Sequence, residues 1–86
     1  MSWTIEDLDT LLRRAGLPSE LGSNGEQPET ISQIGTRRAK AIRHADRYVV
    51  GFYDPPRNCV RTDYYEHAWQ ASEAIEKWIW EDRWVE

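Results

Sequence analysis

The hydrophobic pattern at the start of the chain predicts an amphipathic helix from about Thr4 to Ala15. Its apolar residues recur at three- and four-residue spacing: Ile5, Leu8, Leu11, Leu12 and Ala15. Thr4 is a favourable N-cap with Asp7 three residues on, and Gly16 can adopt the left-handed conformation that ends a helix. We therefore expect helix one to be the best-defined local structure in the chain.

The next part of the chain has a weaker pattern. Residues 18–29 (PSELGSNGEQPE) are rich in Pro, Gly, Ser and Asn and predict a flexible loop. A thin apolar stripe follows, formed by Ile31, Ile34, Ala41, Ile42 and Ala45. This spacing predicts a second helix from Thr30 or Ile31 to Ala45. Gly35 lies inside it and costs about 1 kcal/mol relative to Ala in a helix.

Two strand-like runs come next. Residues 48–53 are aromatic or β-branched except for Gly51, the polar and Pro-rich segment 54–58 follows, and a second run starts at Cys59. In the second run Cys59, Arg61 and Asp63 alternate with Val60, Thr62 and Tyr64. The pattern predicts a β-hairpin whose second strand is an exposed edge.

A third helix is predicted from Asp63, because Asp63 and Glu66 have the spacing of a capping box. Its continuous apolar stripe comprises Ala68, Ala71, Ser72, Ile75, Trp78 and Ile79. Two strands alone are marginally stable in water, so this helix must cover one face of the hairpin. The predicted fold is α+β: one domain over residues 1–86, with two N-terminal helices, a β-hairpin and a long C-terminal helix packed on it.

Three tryptophans of the third helix lie outside its core stripe. On a helical wheel Trp69, Trp80 and Trp84 cluster more than about 100° away from that stripe. Helix one could cover them, or they could form an interface with a partner or with a second copy, where Trp is enriched. The sequence pattern leaves both interpretations open. We call this group of residues the Trp strip.

Charge is distributed unevenly along the chain. The net charge is −4, but residues 30–62 carry +5 while residues 1–29 carry −4 and residues 63–86 carry −5. The basic side chains of the middle segment include Arg37, Arg38, Lys40, Arg43 and Arg47. They could form a solvated face that pairs with the acidic third segment, or a contact site for phosphate or an acidic partner. We call this group the basic segment.

The residue types needed for catalysis are sparse. Cys59, Asp63 and His67 are the only nucleophile, acid and base close in sequence, and no oxyanion-forming glycine loop accompanies them. His44 and His67 with one Cys lack metal-ligand spacing, and no phosphate-binding glycine motif is present. We therefore expect no catalytic residues, no metal and no cofactor. A lone Cys excludes an internal disulfide, and without a leader or an apolar span we expect a cytoplasmic protein away from the membrane.

Within residues 47–81 a set of positions forms a strand–turn–strand–helix pattern: Tyr48, Val49, Val50, Phe52, Asp54, Pro56, Cys59, Val60, Glu66, Ala68, Ala71, Glu73, Ala74, Glu76 and Trp78. In these residues the segment resembles the hairpin-plus-helix core of HicB-type antitoxins. In that family the unit belongs to a small α+β domain that binds and inhibits an RNase toxin. This chain lacks the family's leading strand and DNA-binding tail, so operator binding is not implied. In size and charge the chain is also similar to phage-encoded inhibitors such as anti-CRISPR proteins.

Together these patterns predict a non-enzymatic protein-binding module: an acidic inhibitor or antitoxin-like protein that blocks a basic, nucleic-acid-handling partner such as a nuclease toxin or a phage-defence effector. The predicted partner-binding residues are Trp69, Trp80, Trp84, Glu66, Glu73 and Glu76. The alternatives are a nucleic-acid-binding protein that uses the basic segment 37–47, or a homo-oligomeric structural module. Direct nucleic-acid binding ranks below protein binding because the net charge is negative.

Overall fold

The computed structural model describes residues 4–24 and 27–80. In chain order the elements are helix α1 (Ile5–Arg14), strands β1 (Ser19–Asn24), β2 (Gln27–Ile34), β3 (Arg37–His44), β4 (Arg47–Tyr53) and β5 (Cys59–Tyr65), and helix α2 (Ala68–Trp80). The strands form one antiparallel sheet in the order β1-β2-β3-β4-β5. Both helices pack against each other and against the same face of this sheet. We call that face the helix face and the opposite one the open face.

The α+β class is confirmed, but the predicted arrangement of two N-terminal helices and a hairpin is wrong. The structure has one N-terminal helix and a five-stranded sheet, and the predicted second helix is the β2–β3 hairpin. The buried helix-face positions of these two strands hold Thr30, Ser32, Ala39 and Ala41. Such small or polar side chains give a weak strand alternation. Ile31 and Ile42 of the open face, read together with Ile34 of the helix face, supplied an apparent helical spacing.

The segment 18–29, predicted to be a flexible loop, contains all of β1 and the start of β2. Ser19 pairs with Ser32 and Leu21 with Thr30, so this polar strand is an edge of the sheet. Gly35, which counted against a helix, lies in the β2–β3 turn with φ of +63°, a left-handed conformation that glycine adopts at little cost.

The prediction for α1 is confirmed in detail. The backbone N–H of Asp7 donates to Thr4 Oγ1 at 3.1 Å, and the N–H of Thr4 donates to Asp7 Oδ2 at 2.7 Å, which is a complete capping box. At the other end Gly16 has φ of +87°, and the N–H of Leu17 donates to the carbonyl of Leu12 at 3.0 Å. These bonds form the Schellman motif that ends the helix.

The hairpin and the last helix are confirmed with one boundary corrected. The predicted strands correspond to β4 and β5, but β5 continues through Tyr65 and α2 begins at Ala68, so Asp63 is a strand residue and not an N-cap. The helix start is stabilised instead by Gln70, whose Oε1 accepts from the N–H of His67 at 3.2 Å. The backbone hydrogen bonds between β4 and β5 therefore keep Asp63 in the strand, although its spacing from Glu66 is that of a capping box.

The core lies between the helices and the helix face. It is built from α1 and α2 side chains that meet Tyr48, Val50 and Phe52 of β4, all fully buried. The rings of Phe52 and Trp78 meet edge to face with centroids 5.7 Å apart. Polar groups in the core are also bonded: Trp78 Nε1 donates to the carbonyl of Arg38 at 3.1 Å, and the Tyr48 hydroxyl donates to the carbonyl of Thr4 at 2.7 Å. Neither described helix has the length and apolar character needed to cross a membrane.

Candidate functional site: the outer face of α2 and the open sheet face

The Trp strip is exposed in the part that the structure describes. Trp69 and Trp80 each keep 53% of their surface accessible to solvent. Trp84 lies outside the described residues. The predicted core stripe of this helix is buried as expected: Ala68, Ala71, Ser72, Ile75, Trp78 and Ile79. The alternative in which helix one covers the strip is therefore wrong for Trp69 and Trp80, because α1 packs beside α2 on the sheet and not above it.

Carboxylates accompany the two indoles. Glu73 is exposed and Glu76 is half-buried, and both lie between Trp69 and Trp80 on the outer face of α2. Glu66 is exposed just before the helix starts. A rise of about 1.5 Å per residue places the two indoles about 16 Å apart along the helix axis. The outer face of α2 thus presents two large apolar rings with negative charge between them.

One indole is held in place by a neighbour. The ring of His67 stacks parallel to that of Trp69, with centroids 6.3 Å apart and an interplanar angle of 7°. A ring restrained in this way loses less conformational freedom when it is buried by a partner. The contact with His67 therefore restricts the rotation of the Trp69 ring.

The basic segment is divided between the two faces of the sheet, because successive residues of a strand point to opposite sides. Arg37 and Arg43 lie on the helix face. The guanidinium carbon of Arg37 lies 4.4 Å from the ring centroid of Trp78, and its Nη1 donates to the carbonyl of that residue at 3.0 Å. The guanidinium of Arg43 lies 4.9 Å from the ring of Tyr48. These two arginines therefore pack against core aromatic rings and do not belong to one continuous basic patch.

The remaining cations of the segment lie on the open face. Lys40 Nζ is 5.7 Å from the ring centroid of Tyr53, and the guanidinium of Arg47 is 5.9 Å from that of Tyr64. Arg38 lines a shallow groove together with Pro18, Glu20, Ile31 and Gln33. Its Nε is buried and has no hydrogen-bond partner among the residues described. The open face therefore combines three cations with two tyrosine rings.

A buried carboxylate lies on the same open face. Glu29 is only 7% exposed, and its Oε1 has no hydrogen-bond partner within the described chain. Burial raises the pKa of Tyr53 nearby, the Cys59 thiol and the Glu29 carboxylate raise it further, and the charge of Arg38 opposes them. Side chains of β2, β3 and β5 thus act on the Tyr53 hydroxyl of β4.

The residues considered for catalysis make other contacts. Asp63 Oδ2 accepts from Arg61 Nε at 2.7 Å, Cys59 Sγ donates to the carbonyl of Arg61 at 3.5 Å, and His67 stacks on Trp69. No nucleophile–base pair is formed by these contacts. In residues 4–24 and 27–80 no three His, Cys, Asp or Glu side chains are placed to hold a metal ion.

A buried polar cluster, missed from the sequence, joins α1 to the sheet. Asp9 is 6% exposed and accepts hydrogen bonds from the hydroxyls of Ser19 and Thr30, the latter at 3.1 Å, and from Arg13 Nε at 2.7 Å. Burial alone raises the pKa of Asp9, but these bonds and the charge of Arg13 outweigh it and hold the pKa below 3.8. The signal in the sequence was an acid bordering the apolar stripe of helix one.

Comparisons with known proteins identified no relative of this chain. No protein-family model, no curated protein and no solved structure matches the chain.

Proposed function

We propose that this chain is a non-enzymatic protein-binding module that docks the outer face of α2 onto a basic surface of a partner protein. The single observation that carries the proposal is the pair of indoles, each 53% exposed, on one helix face with carboxylates between them. Small monomers seldom leave several large rings exposed on one strip, because burying each ring would increase the stability of the folded domain.

The available apolar area is sufficient for an energetic anchor. About half of each indole surface, roughly 130 Å², is left to be covered, which at about 25 cal/mol per Å² gives roughly 3 kcal/mol per ring before binding costs. Interface residues that dominate binding typically contribute about 2 kcal/mol or more, and Trp is the most enriched among them. Two such rings about 16 Å apart match the size of a compact interface centre.

The carboxylates beside the Trp strip indicate the chemistry of the partner. Glu73 and Glu76 lie between the indoles and Glu66 lies beside the start of the helix. A basic surface complements this arrangement, and such surfaces are common on proteins that handle nucleic acid. We therefore propose an inhibitor or antitoxin-like role in which α2 covers the basic surface of a nuclease or a phage-defence effector.

The experiment uses the wild-type chain and a Trp69→Ser/Trp80→Ser variant as matched baits in a native-host extract, followed by purification of each captured protein. The proposal expects direct binding of a purified nucleic-acid-handling protein, a loss of affinity of about 100-fold or more in the double variant, and slower association at higher salt. Leu21→Ser, which removes an exposed apolar side chain on β1, serves as the control and should bind as wild type.

Two results contradict the proposal. One is a double variant that stays folded by circular dichroism and binds the purified partner as tightly as wild type. The other is a double variant that loses its fold, which shows that the indoles are needed for stability. A charge variant, Glu73→Lys/Glu76→Lys, addresses the electrostatic part alone and should slow association without changing the apolar area.

A second candidate function is single-stranded nucleic-acid binding by the open face. The observation in its favour is the placement of Arg38, Lys40 and Arg47 on one face with Tyr53 and Tyr64, since cations and aromatic rings together suit phosphates and stacked bases.

Fluorescence polarisation with a labelled oligonucleotide at low salt tests this second function. Binding should fall steeply with salt and be lost in Lys40→Glu/Arg47→Glu, whereas Arg14→Glu on the exposed side of α1 should have little effect. Absence of any binding at low salt excludes this candidate.

A further inference from the structure

Strand β5 is an edge whose outer side has no strand partner in residues 4–24 and 27–80. Most of its residues are exposed, and Val60 and Tyr64 are 50% and 60% accessible, although both are large apolar side chains. The backbone N–H and C=O groups on the outer side of an edge strand can pair with another strand. The question is which strand fits.

The side chains of β5 are arranged symmetrically about Thr62. One position away on either side are opposite charges, Arg61 and Asp63, and two positions away are the apolar Val60 and Tyr64. If an identical strand runs antiparallel with Thr62 facing Thr62, Arg61 lies opposite Asp63 of the second copy in both directions. Opposite charges, paired threonines and aromatic–β-branched pairs are each favourable across strands.

The neighbouring registers are unfavourable. Centring the pair on Arg61 or on Asp63 places like charges directly opposite each other, which destabilises a strand pair. A shift by one residue places side chains of the two copies on opposite faces of the sheet. The register centred on Thr62 is therefore favoured because it pairs opposite charges and keeps the same faces of the two sheets aligned.

The charges already have a suitable geometry. Arg61 Nε and Asp63 Oδ2 are 2.7 Å apart on the helix face of β5. A two-fold axis perpendicular to the sheet keeps the faces of both copies aligned, so the two ion pairs form a ring of alternating charge. The β4–β5 register shift at Phe52 and Tyr53 makes the Val60 end irregular, so the regular pairs are Arg61 with Asp63 and Thr62 with Thr62.

We propose that β5 pairs antiparallel with β5 of a second copy about a two-fold axis at Thr62, which joins the two sheets. One strand on each side buries less than the roughly 1,000 Å² typical of stable interfaces, so the dimer should be weak and concentration-dependent. The inference does not depend on the proposed function. Where both hold, the dimer presents two α2 faces on the same side and can bind a partner bivalently.

A charge exchange tests the proposal by sedimentation velocity over a range of protein concentrations. Wild type should pass from monomer to dimer, while Arg61→Asp and Asp63→Arg alone should each weaken self-association by about tenfold or more, because each sets like charges across the pair. An equimolar mixture of the two variants should form a heterodimer, and the double variant Arg61→Asp/Asp63→Arg should dimerise again. Arg57→Asp, at an exposed position in the β4–β5 loop, is the control and should dimerise as wild type.

Cysteine crosslinking tests the register, in a Cys59→Ser background. Directly opposite residues have Cα atoms about 4.5–5.5 Å apart, within the range of a disulfide, so Thr62→Cys should crosslink two copies under mild oxidation. Tyr64→Cys is the matched control, because its two copies would be offset by four residues, about 13 Å. Crosslinking of Tyr64→Cys with none at Thr62→Cys contradicts the register.

Other outcomes also overturn the proposal. A monomer at every concentration does so directly. Species larger than a dimer would indicate head-to-tail pairing of β5 with the β1 edge. A dimer that survives both charge variants but is lost in Trp69→Ser would place the contact on α2. The mixture experiment also guards against misfolding, because a variant that had lost its fold could not regain association when mixed.

Discussion

Replacing Asp9 by alanine should destabilise the protein far more than any exposed substitution in α1. The carboxylate is 8% exposed at its side chain and accepts from two hydroxyls and one guanidinium. Hydrogen bonds to a charged group contribute about 1.5–3 kcal/mol each. The Ser19 and Thr30 hydroxyls can still bond each other at 3.0 Å, and Arg13, whose side chain is 59% exposed, can return to water. We therefore expect a net loss of about 2–3 kcal/mol.

The assay is thermal and urea unfolding followed by circular dichroism. For a domain of this size about 1 kcal/mol corresponds to roughly 4–8 °C, so the transition of Asp9→Ala should fall by about 10–20 °C. Thr10→Ala is the matched control, since this neighbour is exposed and its change should stay within about 0.5 kcal/mol. A loss below about 1 kcal/mol for Asp9→Ala would refute the view that this cluster anchors α1 to the sheet.

The same cluster predicts a pH dependence with a definite sign. Because the folded pKa of Asp9 is held below its ordinary value of 3.8, its contribution to stability is complete above that value. It is lost as the pH falls from about 4 through the lowered folded pKa. The difference in unfolding free energy between wild type and Asp9→Asn should therefore shrink over that acid range. A difference that is constant from pH 7 to pH 2 would contradict the assignment.

Three further predictions concern single residues. Gly35→Ala should lower the free energy of unfolding by about 1 kcal/mol, because the φ of this residue is +63°. A Cβ at this position meets no atom within 4 Å, so the cost comes from the backbone conformation alone. The control is Gly22→Ala, whose Cβ would contact only Glu29 at 3.8 Å, and its urea midpoint should stay nearly unchanged. Tyr48→Phe removes the 2.7 Å bond to a backbone carbonyl and should lower the unfolding free energy by about 0.5–1.5 kcal/mol without altering the fold. Burial together with the charge of a neighbouring aspartate raises the pKa of Tyr65 to about 12, so its stabilising effect is present below pH 10 and is lost as the pH rises towards 12. Tyr65→Phe should remove that late step from an absorbance titration at high pH.

The elements that sequence patterns predicted correctly are those with short-range signals. The capping box of Thr4 and Asp7 and the left-handed Gly16 specify α1 within a few residues. The aromatic run of β4 and the apolar stripe of α2 are long and strongly patterned. In each case residues that are close in sequence are sufficient to specify the element.

Strands β1 to β3 could not be predicted in the same way because their pattern depends on what covers them. Ala39 and Ala41 are buried beneath the helices, where small side chains allow the helices to approach the sheet closely. Thr30 and Ser32 are buried because Asp9 and the carbonyl of Pro18 supply hydrogen-bond partners. A hydrophobicity pattern registers neither cause, so the alternation was not visible.

The candidate site followed from the fold in the same manner. The separation of Trp69 and Trp80 from the core stripe was predicted because a helical wheel needs only local periodicity, whereas their exposure depends on where α1 packs and was left open. The basic segment was misgrouped because a helix with 3.6 residues per turn and a strand with a period of two distribute the same arginines differently. Once the segment forms β3 and β4, Arg37 and Arg43 pack under the helices, whereas Lys40 and Arg47 face solvent beside tyrosines.

Salt dependence alone cannot separate the two proposed functions, because an acidic strip on a basic protein and a basic face on nucleic acid both weaken as ions screen the charges. The sign of a charge reversal separates them. Glu73→Lys should slow the association of a basic protein with α2 and leave nucleic-acid binding by the open face unchanged. Lys40→Glu should weaken nucleic-acid binding by the open face and leave protein binding through α2 unchanged. Self-pairing of β5 differs from both, since its four charges sum to zero and attract only at short range. It should therefore vary little with salt while remaining sensitive to reversal at Arg61 or Asp63.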